Sequence, residues 1–306
     1  MSRLVPWRSF PLAFAFLSLF GCRRLHKEAF EKVPLVRGQV EVVRVSETGG
    51  LAIDRVRFWS DEMAAPRFFL ALVPKTSSRI AEAFILNHGW WDRPEDLLKN
   101  LKVDEVYSGM LARGEVRPAM IVIPDVRFSN FYRQNSRRFP FPNYLTLVPV
   151  EVAGVVSQHY GIPMERERWA IGGFSFGGYL SLDVGRHYPG RFASVSVISG
   201  FADSSWTFWP AEVSNQVSNQ GPLDALGRGK YTVVAPGPRP RLFLACGTND
   251  GMLTQMTELH QTLERLGIPH DWSTAPGGHT WAYWSSVLQP MLRFHLGTPA
   301  EGRKME

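Results

Sequence analysis

A serine near the middle of the chain lies in the pattern Gly-x-Ser-x-Gly. The pattern runs from Gly173 to Gly177 and centres on Ser175. A strand-like run at 168–171 precedes it, and a helix-like run at 179–187 follows it. In this context the two glycines leave room for a strained turn that raises a serine above a sheet. The pattern predicts that Ser175 is a nucleophile at a helix N-terminus, whose dipole favours developing negative charge.

A serine hydroxyl is a weak nucleophile at neutral pH, so it needs a base, and the base needs an orienting acid. His279 is the candidate base because it lies on a glycine-rich loop near the end of the chain. Asp250 is the candidate acid because it follows a strand-like run at 242–246, and catalytic groups gather at that edge of an open sheet. Asp203 and Asp224 are weaker alternatives in an irregular region.

The oxyanion that forms during nucleophilic attack needs two backbone N–H donors. Phe176 is one candidate because it directly follows the nucleophile. The loop after the apolar run 83–86 should provide the other, and there Trp90 is the best-placed residue, with Trp91 as the alternative. His88, in the same loop, is interpreted as a structural histidine beneath the oxyanion hole. It is not favoured as a base or as a metal ligand.

Strand-like and helix-like segments alternate along the chain and must position these residues. The alternation predicts a doubly wound, mostly parallel α/β sheet with right-handed crossovers. The region 202–239 lacks periodicity and is interpreted as an irregular insertion or lid. The predicted strands are 40–45, 53–59, 68–73, 83–86, 119–123, 168–171, 193–198 and 241–245, and the predicted helices are 94–102, 144–160, 179–187 and 254–266.

Composition limits the class of protein. The 306 residues, 44% of them hydrophobic, suffice for one well-buried core, so a single α/β domain is expected. A net charge of +6 comes from dispersed arginines that do not interleave with aromatic residues, which argues against nucleic-acid binding. The two cysteines exclude a disulfide scaffold. No histidine and carboxylate spacing indicates a metal site, and no cofactor is expected.

The first 22 residues differ from the rest of the chain. Arg3 and Arg8 precede an apolar run at 10–20, which is typical of a signal peptide. The run ends in Leu-Phe-Gly-Cys, which resembles the lipobox of bacterial lipoproteins and makes Cys22 the expected lipidation site. A plain signal peptide, a short uncleaved anchor and a cytoplasmic location remain alternatives. The predicted organisation is a signal peptide at 1–21, a tether at 22–35 and a catalytic domain at 36–298.

Several motifs along the chain share a family pattern. They are Asn-His-Gly at 87–89, Ile-Pro-Asp at 123–125, the serine turn, Cys-Gly-Thr-Asn-Asp at 246–250 and Gly-Gly-His-Thr-Trp-Ala-Tyr-Trp at 277–284. Together they resemble the esterase D and enterochelin-esterase-like α/β-hydrolases. That group includes S-formylglutathione hydrolases, feruloyl esterases, siderophore esterases and antigen-85 mycolyltransferases. The resemblance covers about residues 68–295.

This resemblance implies an α/β-hydrolase fold and serine esterase activity. Transferred by position, it implies that Ser175 is the nucleophile, Asp250 the acid and His279 the base. It also implies that Trp90 and Phe176 are the oxyanion donors. The chain departs from the family in two places: Asn-His-Gly replaces the commoner Leu-His-Gly, and two tryptophans replace smaller residues after it. That bulk indicates a narrow or aromatic-lined acyl site.

The segment 127–138 should lie near the mouth of the site, because it follows the strand that ends at residue 123. Its four arginines and several aromatic residues are suited to an acidic or aromatic ester. Arg137 and Arg138, together with Trp91, are therefore candidate substrate contacts. The alternative is a solvated basic loop.

Three functions are compatible with this set of residues. The first is an exported, lipid-anchored hydrolase of small-molecule, glycan or lipid esters. The second is an acyltransferase in which an alcohol outcompetes water at the acyl-enzyme, and product analysis with and without alcohol acceptors separates it from the first. The third is a lipoprotein that keeps the fold for binding, against which the complete catalytic set argues.

Overall fold

The computed structural model describes residues 35–76, 79–127, 144–202 and 238–298. From residue 36 onward they belong to one unit, Val36–Glu306. Within them, nine strands form a single sheet. The strands are β1 Val40–Thr48, β2 Leu51–Ser60, β3 Ala65–Pro74, β4 Ala83–Asn87, β5 Met120–Pro124, β6 Trp169–Phe174, β7 Ser194–Ile198, β8 Arg241–Gly247 and β9 Asp271–Ala275.

The strand order is β1-β2-β3-β5-β4-β6-β7-β8-β9. The first three strands and β5 are antiparallel neighbours, whereas β5, β4 and β6 to β9 are parallel. Every residue of β4, β5, β6 and β7 is buried, as their continuous apolar runs predict for strands covered on both faces. The predicted doubly wound, mostly parallel sheet is confirmed.

Helices cover both faces of the sheet and enclose two hydrophobic clusters. A π-helical segment, Leu147–Val152, joins α3 to α4, and it contains Pro149, which has no backbone N–H to donate. The helices are α1 Pro94–Asn100, α2 Val103–Ala112, α3 Tyr144–Thr146, α4 Ala153–Tyr160, α5 Phe176–His187, α6 Leu253–Arg265 and α7 Trp281–Leu296. Among the residues described, no helix is both long and apolar enough to cross a membrane.

The prediction of one helix over 94–102 is wrong at its C-terminal end. Helix α1 ends at Asn100, and Lys102 then adopts a left-handed conformation with φ of 51° before α2 begins. Helices α2 and α7 are absent from the predictions. Helix α7 contains Pro290, a residue that usually ends or kinks a helix, so its sequence is a poor helix signal. The predicted insertion at 202–239 falls outside the described residues except at its two ends.

Candidate active site

Ser175 lies on the turn between β6 and α5 in a strained backbone conformation, with φ of 55° and ψ of −123°. Its N–H donates to the carbonyl oxygen of Ile198 at 2.8 Å. A Cβ atom on Gly177 would lie 2.3 Å from the carbonyl oxygen of Asn87, and one on Gly173 would lie 2.5 Å from the same oxygen. Both positions therefore require glycine, because the turn packs directly against the end of β4.

The side chains of Ser175, His279 and Asp250 form a continuous hydrogen-bonded series. His279 Nε2 is 2.9 Å from Ser175 Oγ, and His279 Nδ1 is 3.0 and 3.1 Å from the two Asp250 carboxylate oxygens. The Asp250 side chain is fully buried, whereas the His279 side chain is 35% exposed. In the neutral imidazole, Nδ1–H donates to the carboxylate, which leaves Nε2 to accept the serine proton. This geometry can deprotonate Ser175 as it attacks a substrate.

Two late loops are joined where they carry Asp250 and His279. Asp250 follows β8, and its Oδ1 accepts the Met252 N–H at 2.8 Å. The Asn249 N–H donates to the Gly277 carbonyl oxygen at 2.8 Å. Gly277 has a φ of 152°, and a Cβ atom there would lie 2.7 Å from the Tyr283 ring. The glycine-rich loop can therefore pass close enough to the β8 loop to place its histidine beside the aspartate.

The loop after β4 passes over the nucleophile. A Cβ atom on Gly89 would lie 3.7 Å from Ser175 Cβ. Asp92 closes the loop on itself, because its Oδ2 accepts the Gly89 N–H at 3.1 Å and its own N–H donates to the Gly89 carbonyl oxygen at 3.3 Å. Burial and the charge of Asp96 raise the pKa of Asp92. The Trp90 ring packs edge-on against the Phe176 ring, with centroids 4.6 Å apart.

His88 is fully buried beneath this loop and has a partner at each ring nitrogen. Nδ1–H donates to the Gly89 carbonyl oxygen at 2.8 Å, and Nε2 accepts the Val126 N–H at 3.2 Å. Burial lowers the pKa of His88, which keeps the ring neutral near pH 7. The contacts support the interpretation of His88 as a structural residue that joins the loop to the segment after β5.

Aromatic residues that the sequence did not single out pack around the buried ring of Phe176, the residue after Ser175. The Tyr179 ring stacks on both Phe176 and Phe201, with centroid distances of 5.6 and 4.4 Å. The Tyr144 ring meets Phe176 edge-on at 6.3 Å. A sequence signal existed only for Tyr179, which lies one helical turn after Phe176 and therefore on the same face of α5. The positions of Tyr144 and Phe201 follow from packing between elements.

The remaining predicted site residues differ in where they lie. Trp91 is 77% exposed beside Trp90, with ring centroids 6.5 Å apart. Arg137, Arg138 and the predicted lipidation site Cys22 fall outside the described residues, as do the alternative acids Asp203 and Asp224. Within the part of the chain that is described, no group of three or more His, Cys, Asp or Glu side chains is arranged to hold a metal ion.

The sequence of the chain is similar to those of known esterases. A family model described as putative esterase matches residues 60–295 of the chain. The chain is also 21% identical over 266 residues to an acetyl esterase of Caldicellulosiruptor saccharolyticus. That alignment covers 78% of this chain and 96% of the relative.

Solved structures provide a second comparison. A ferulic acid esterase has a TM-score of 0.64 at 20% identity, covering 84% of this chain and 98% of the other. The fluorophosphonate-binding serine hydrolase F (FphF) of Staphylococcus aureus has a TM-score of 0.61 at 17% identity, covering 81% of this chain and 99% of the other. These similarities show that the sheet and its helices have the α/β-hydrolase fold.

Proposed function

Because this chain belongs to the putative esterase family, we propose that it hydrolyses carboxylic esters through an acyl-enzyme on Ser175. The observation that carries the proposal is the series from Ser175 Oγ to His279 Nε2 and from His279 Nδ1 to the Asp250 carboxylate, with contacts of 2.9 to 3.1 Å. The nucleophile is held at the N-terminus of α5 in a conformation that packing against β4 enforces.

Acylation begins when Ser175 Oγ attacks the ester carbonyl carbon and its proton passes to His279 Nε2. The carbonyl π electrons move onto oxygen, and the resulting oxyanion accepts hydrogen bonds from the N–H groups of Phe176 and Trp90. When the tetrahedral intermediate collapses, the bond to the leaving oxygen breaks. The His279 proton passes to that oxygen, so the alcohol leaves neutral.

Deacylation repeats these steps with water as the nucleophile. His279 Nε2 takes a proton from water as the water oxygen attacks the acyl carbonyl carbon, and it returns that proton to Ser175 Oγ as the acid leaves. Asp250 holds the ring with Nδ1–H directed at its carboxylate and stabilises the imidazolium that forms in each half-reaction. Asp92 positions Trp90 by closing the turn from Gly89, to which it is hydrogen-bonded at both its side chain and its backbone.

The substrate is proposed to be a small-molecule ester whose apolar or aromatic part packs against Trp91. The support is the exposed Trp91 indole, which lies beside Trp90 on the loop that passes near Ser175. Replacing Trp91 with alanine should raise KM for an aryl ester more than for an acetyl ester of a small alcohol. An equal change for both esters would remove Trp91 from the substrate contacts.

An acidic substrate remains a proposal based on the arginines of segment 127–138. The double variant Arg137→Ala with Arg138→Ala should lower kcat/KM for an anionic ester and leave a matched neutral ester unchanged. If the ratio of the two values of kcat/KM does not change, these arginines do not select the substrate.

Export and lipid anchoring are proposed from the sequence at 1–22, with residues 22–35 as the tether of a catalytic domain at 36–298. The support is the pair of arginines, the apolar run and the lipobox-like end at Cys22. In a bacterial host, the full chain should partition with membranes and the Cys22→Ser variant should not. Equal partitioning of the two proteins would contradict lipidation at this residue.

The experiment that tests the proposed mechanism is labelling with a fluorophosphonate probe, followed by mass spectrometric mapping of the modified residue. We expect modification of Ser175 and its loss in the His279→Ala variant. The matched control is His159→Ala, which removes an exposed histidine from α4 and should label like the parent. Labelling at another residue, or full labelling of His279→Ala, would contradict the mechanism.

A further inference from the structure

Trp284 packs against His279, and the mechanism above gives this indole no role. The two rings are nearly perpendicular, at 82°, with centroids 5.0 Å apart. Trp284 is in the first turn of α7, one turn beyond the His279 loop, and only 5% of it is exposed. The indole is therefore a buried neighbour of a histidine that is itself one-third exposed.

The Trp284 indole is fixed by a hydrogen bond and by two further rings. Its Nε1–H donates to Ser199 Oγ at 3.1 Å, a buried contact between residues 85 positions apart in the chain. Phe174, directly before the nucleophile, lies against it with centroids 5.6 Å apart, and Trp281 meets it edge-on at 5.0 Å. The indole therefore cannot rotate without breaking the hydrogen bond to Ser199 or one of the two ring contacts.

The backbone of Ser199, whose hydroxyl accepts the indole hydrogen bond, is strained. It is fully buried and has a φ of 50°, a left-handed conformation that is uncommon for serine. Its N–H donates to the Ala245 carbonyl oxygen at 2.8 Å. The preceding residue, Ile198, accepts the Ser175 N–H, so one loop contacts both the nucleophile backbone and the indole beside the base. Strain of this kind persists where the surrounding structure enforces it, commonly at active sites.

We propose that Ser199 and Trp284 are positioning residues that hold the His279 ring in the orientation that joins Ser175 to Asp250. This inference rests on the proposed role of His279 as the base. The hydrogen bond from the Asn249 N–H to the Gly277 carbonyl oxygen fixes the backbone of the His279 loop, but it does not restrain rotation of the imidazole about its side-chain bonds. The perpendicular indole lies against the imidazole and opposes its rotation.

The test compares Ser199→Ala and Trp284→Phe with the parent enzyme. The first variant removes the acceptor of the indole hydrogen bond, and the second keeps a ring but removes the donor. For a soluble aryl acetate, we expect kcat to fall about tenfold in each variant with KM within about twofold, because small misplacement of a catalytic group lowers the rate more than binding. The rate constant for fluorophosphonate labelling of Ser175 should fall by the same factor.

Two control variants make the same substitutions, serine to alanine and tryptophan to phenylalanine, at positions that do not contact His279. Ser194→Ala removes a buried serine of β7, the strand that ends directly before Ser199, and its Oγ is 2.7 Å from His295 Nδ1. Trp272→Phe shortens an indole that stacks on His260, a histidine outside the catalytic set, with centroids 5.2 Å apart. Both controls should keep the parent kcat and labelling rate at a temperature well below their Tm.

Ser199→Gly separates the hydrogen bond from the backbone strain. Glycine adopts a positive φ without strain but lacks the hydroxyl. We expect a Tm above that of Ser199→Ala, together with the same low kcat. Recovery of the parent kcat in the glycine variant would overturn the proposal, because the hydroxyl would then have no role. This variant also gives a result if Ser199→Ala does not fold.

The outcomes distinguish this inference from the proposed function. Parent-like kcat and labelling in both Ser199→Ala and Trp284→Phe, with His279→Ala inactive, would overturn the positioning role and leave the mechanism intact. An equal loss of kcat in Ser194→Ala would also overturn it, because removing any buried serine hydroxyl would then lower kcat. An active His279→Ala enzyme would instead remove the proposed function on which the inference rests.

Discussion

Ser175 has a backbone conformation that costs free energy, and two glycines make it attainable. Gly173 and Gly177 lie so close to the Asn87 carbonyl oxygen that no side chain fits at either position. The same close packing brings the loop with Gly89 over the nucleophile. The absence of side chains at Gly173 and Gly177 is therefore as necessary to this serine esterase as the three side chains proposed to be catalytic.

Replacing Gly177 with alanine should displace the turn. The new methyl group would lie 2.3 Å from the Asn87 carbonyl oxygen and 2.6 Å from that of His88. We expect the free energy of unfolding to fall by about 3 kcal/mol, at the upper end for overpacking, and fluorophosphonate labelling of Ser175 to be lost. Urea unfolding and probe labelling measure the two effects.

The matched control is Gly154→Ala in α4, where a new methyl group meets no atom within 4 Å. This change should raise the free energy of unfolding by about 0.5–1 kcal/mol, because alanine favours the helix and restricts the unfolded chain. If Gly177→Ala matched this control in stability and labelling, the packing argument for the turn would be wrong.

Among the secondary-structure elements, helix α7 joins the loop that carries His279 to the sheet. Its first turn carries Trp284 beside His279, and its last turn carries His295 over β7. His295 contacts Ser194 Oγ at 2.7 Å through Nδ1 and Ser196 Oγ at 2.8 Å through Nε2, and its ring stacks on Phe84 with centroids 4.4 Å apart. Alternate residues of a strand face the same side, so Ser194 and Ser196 form one polar site for the helix.

This anchor should make the stability of the protein depend on pH. Burial, with a smaller effect of Arg241, lowers the pKa of His295 well below its ordinary value. Below the unfolded pKa of about 6.5, the unfolded chain therefore binds a proton that the folded chain does not. The contribution of His295 is complete above about pH 6.5, and it is lost at about 1.4 kcal/mol per pH unit as the pH falls towards the folded pKa.

The variant His295→Gln should flatten the profile of Tm against pH between about pH 7 and pH 5, because glutamine does not titrate in this range. Some dependence should remain, since burial also lowers the pKa of His88. His159→Gln, at an exposed position of α4, is the control and should retain the parent slope. An unchanged slope in His295→Gln would show that this histidine is not the source of the acid sensitivity.

At the scale of the whole molecule, the sheet is most protected at its centre and least protected at its edge. Strands β4 and β6 are adjacent, and every residue in them is buried. Strand β9 is at one end of the strand order, and three of its five residues are exposed. Ser175, the proposed nucleophile, follows the central strand β6, so its turn belongs to the most protected part of the described fold.

Hydrogen exchange should reproduce this gradient. The amides of β4 and β6 should open only with global unfolding, whereas those of β9 should exchange at least about 100-fold faster through local opening. Exchange measured by mass spectrometry on peptides from each strand tests this expectation. Equal protection of β9 and β4 would mean that the sheet unfolds as one unit, which would contradict the assignment of β9 as a weakly held edge.

Much of this protein was predictable from sequence because the relevant signals are local. The spacing of Gly173, Ser175 and Gly177 between a strand and a helix determines the turn, and continuous apolar runs determine the buried strands. The family resemblance, based on motifs of three to eight residues, was confirmed by the match over residues 60–295. Helix α7 was harder to predict, because it contains Pro290 and proline usually ends or kinks a helix.

The fold class, the esterase family and the residues proposed to form the catalytic set could all be predicted from the sequence. The groups that surround that set could not, because they come together only when distant elements pack. Ser199 with Trp284 and His295 with Ser194 join residues 85 and 101 positions apart. No local propensity encodes such pairs, because they exist only after α7 packs against β7 and the loop that follows it, which buries polar groups that must then find partners.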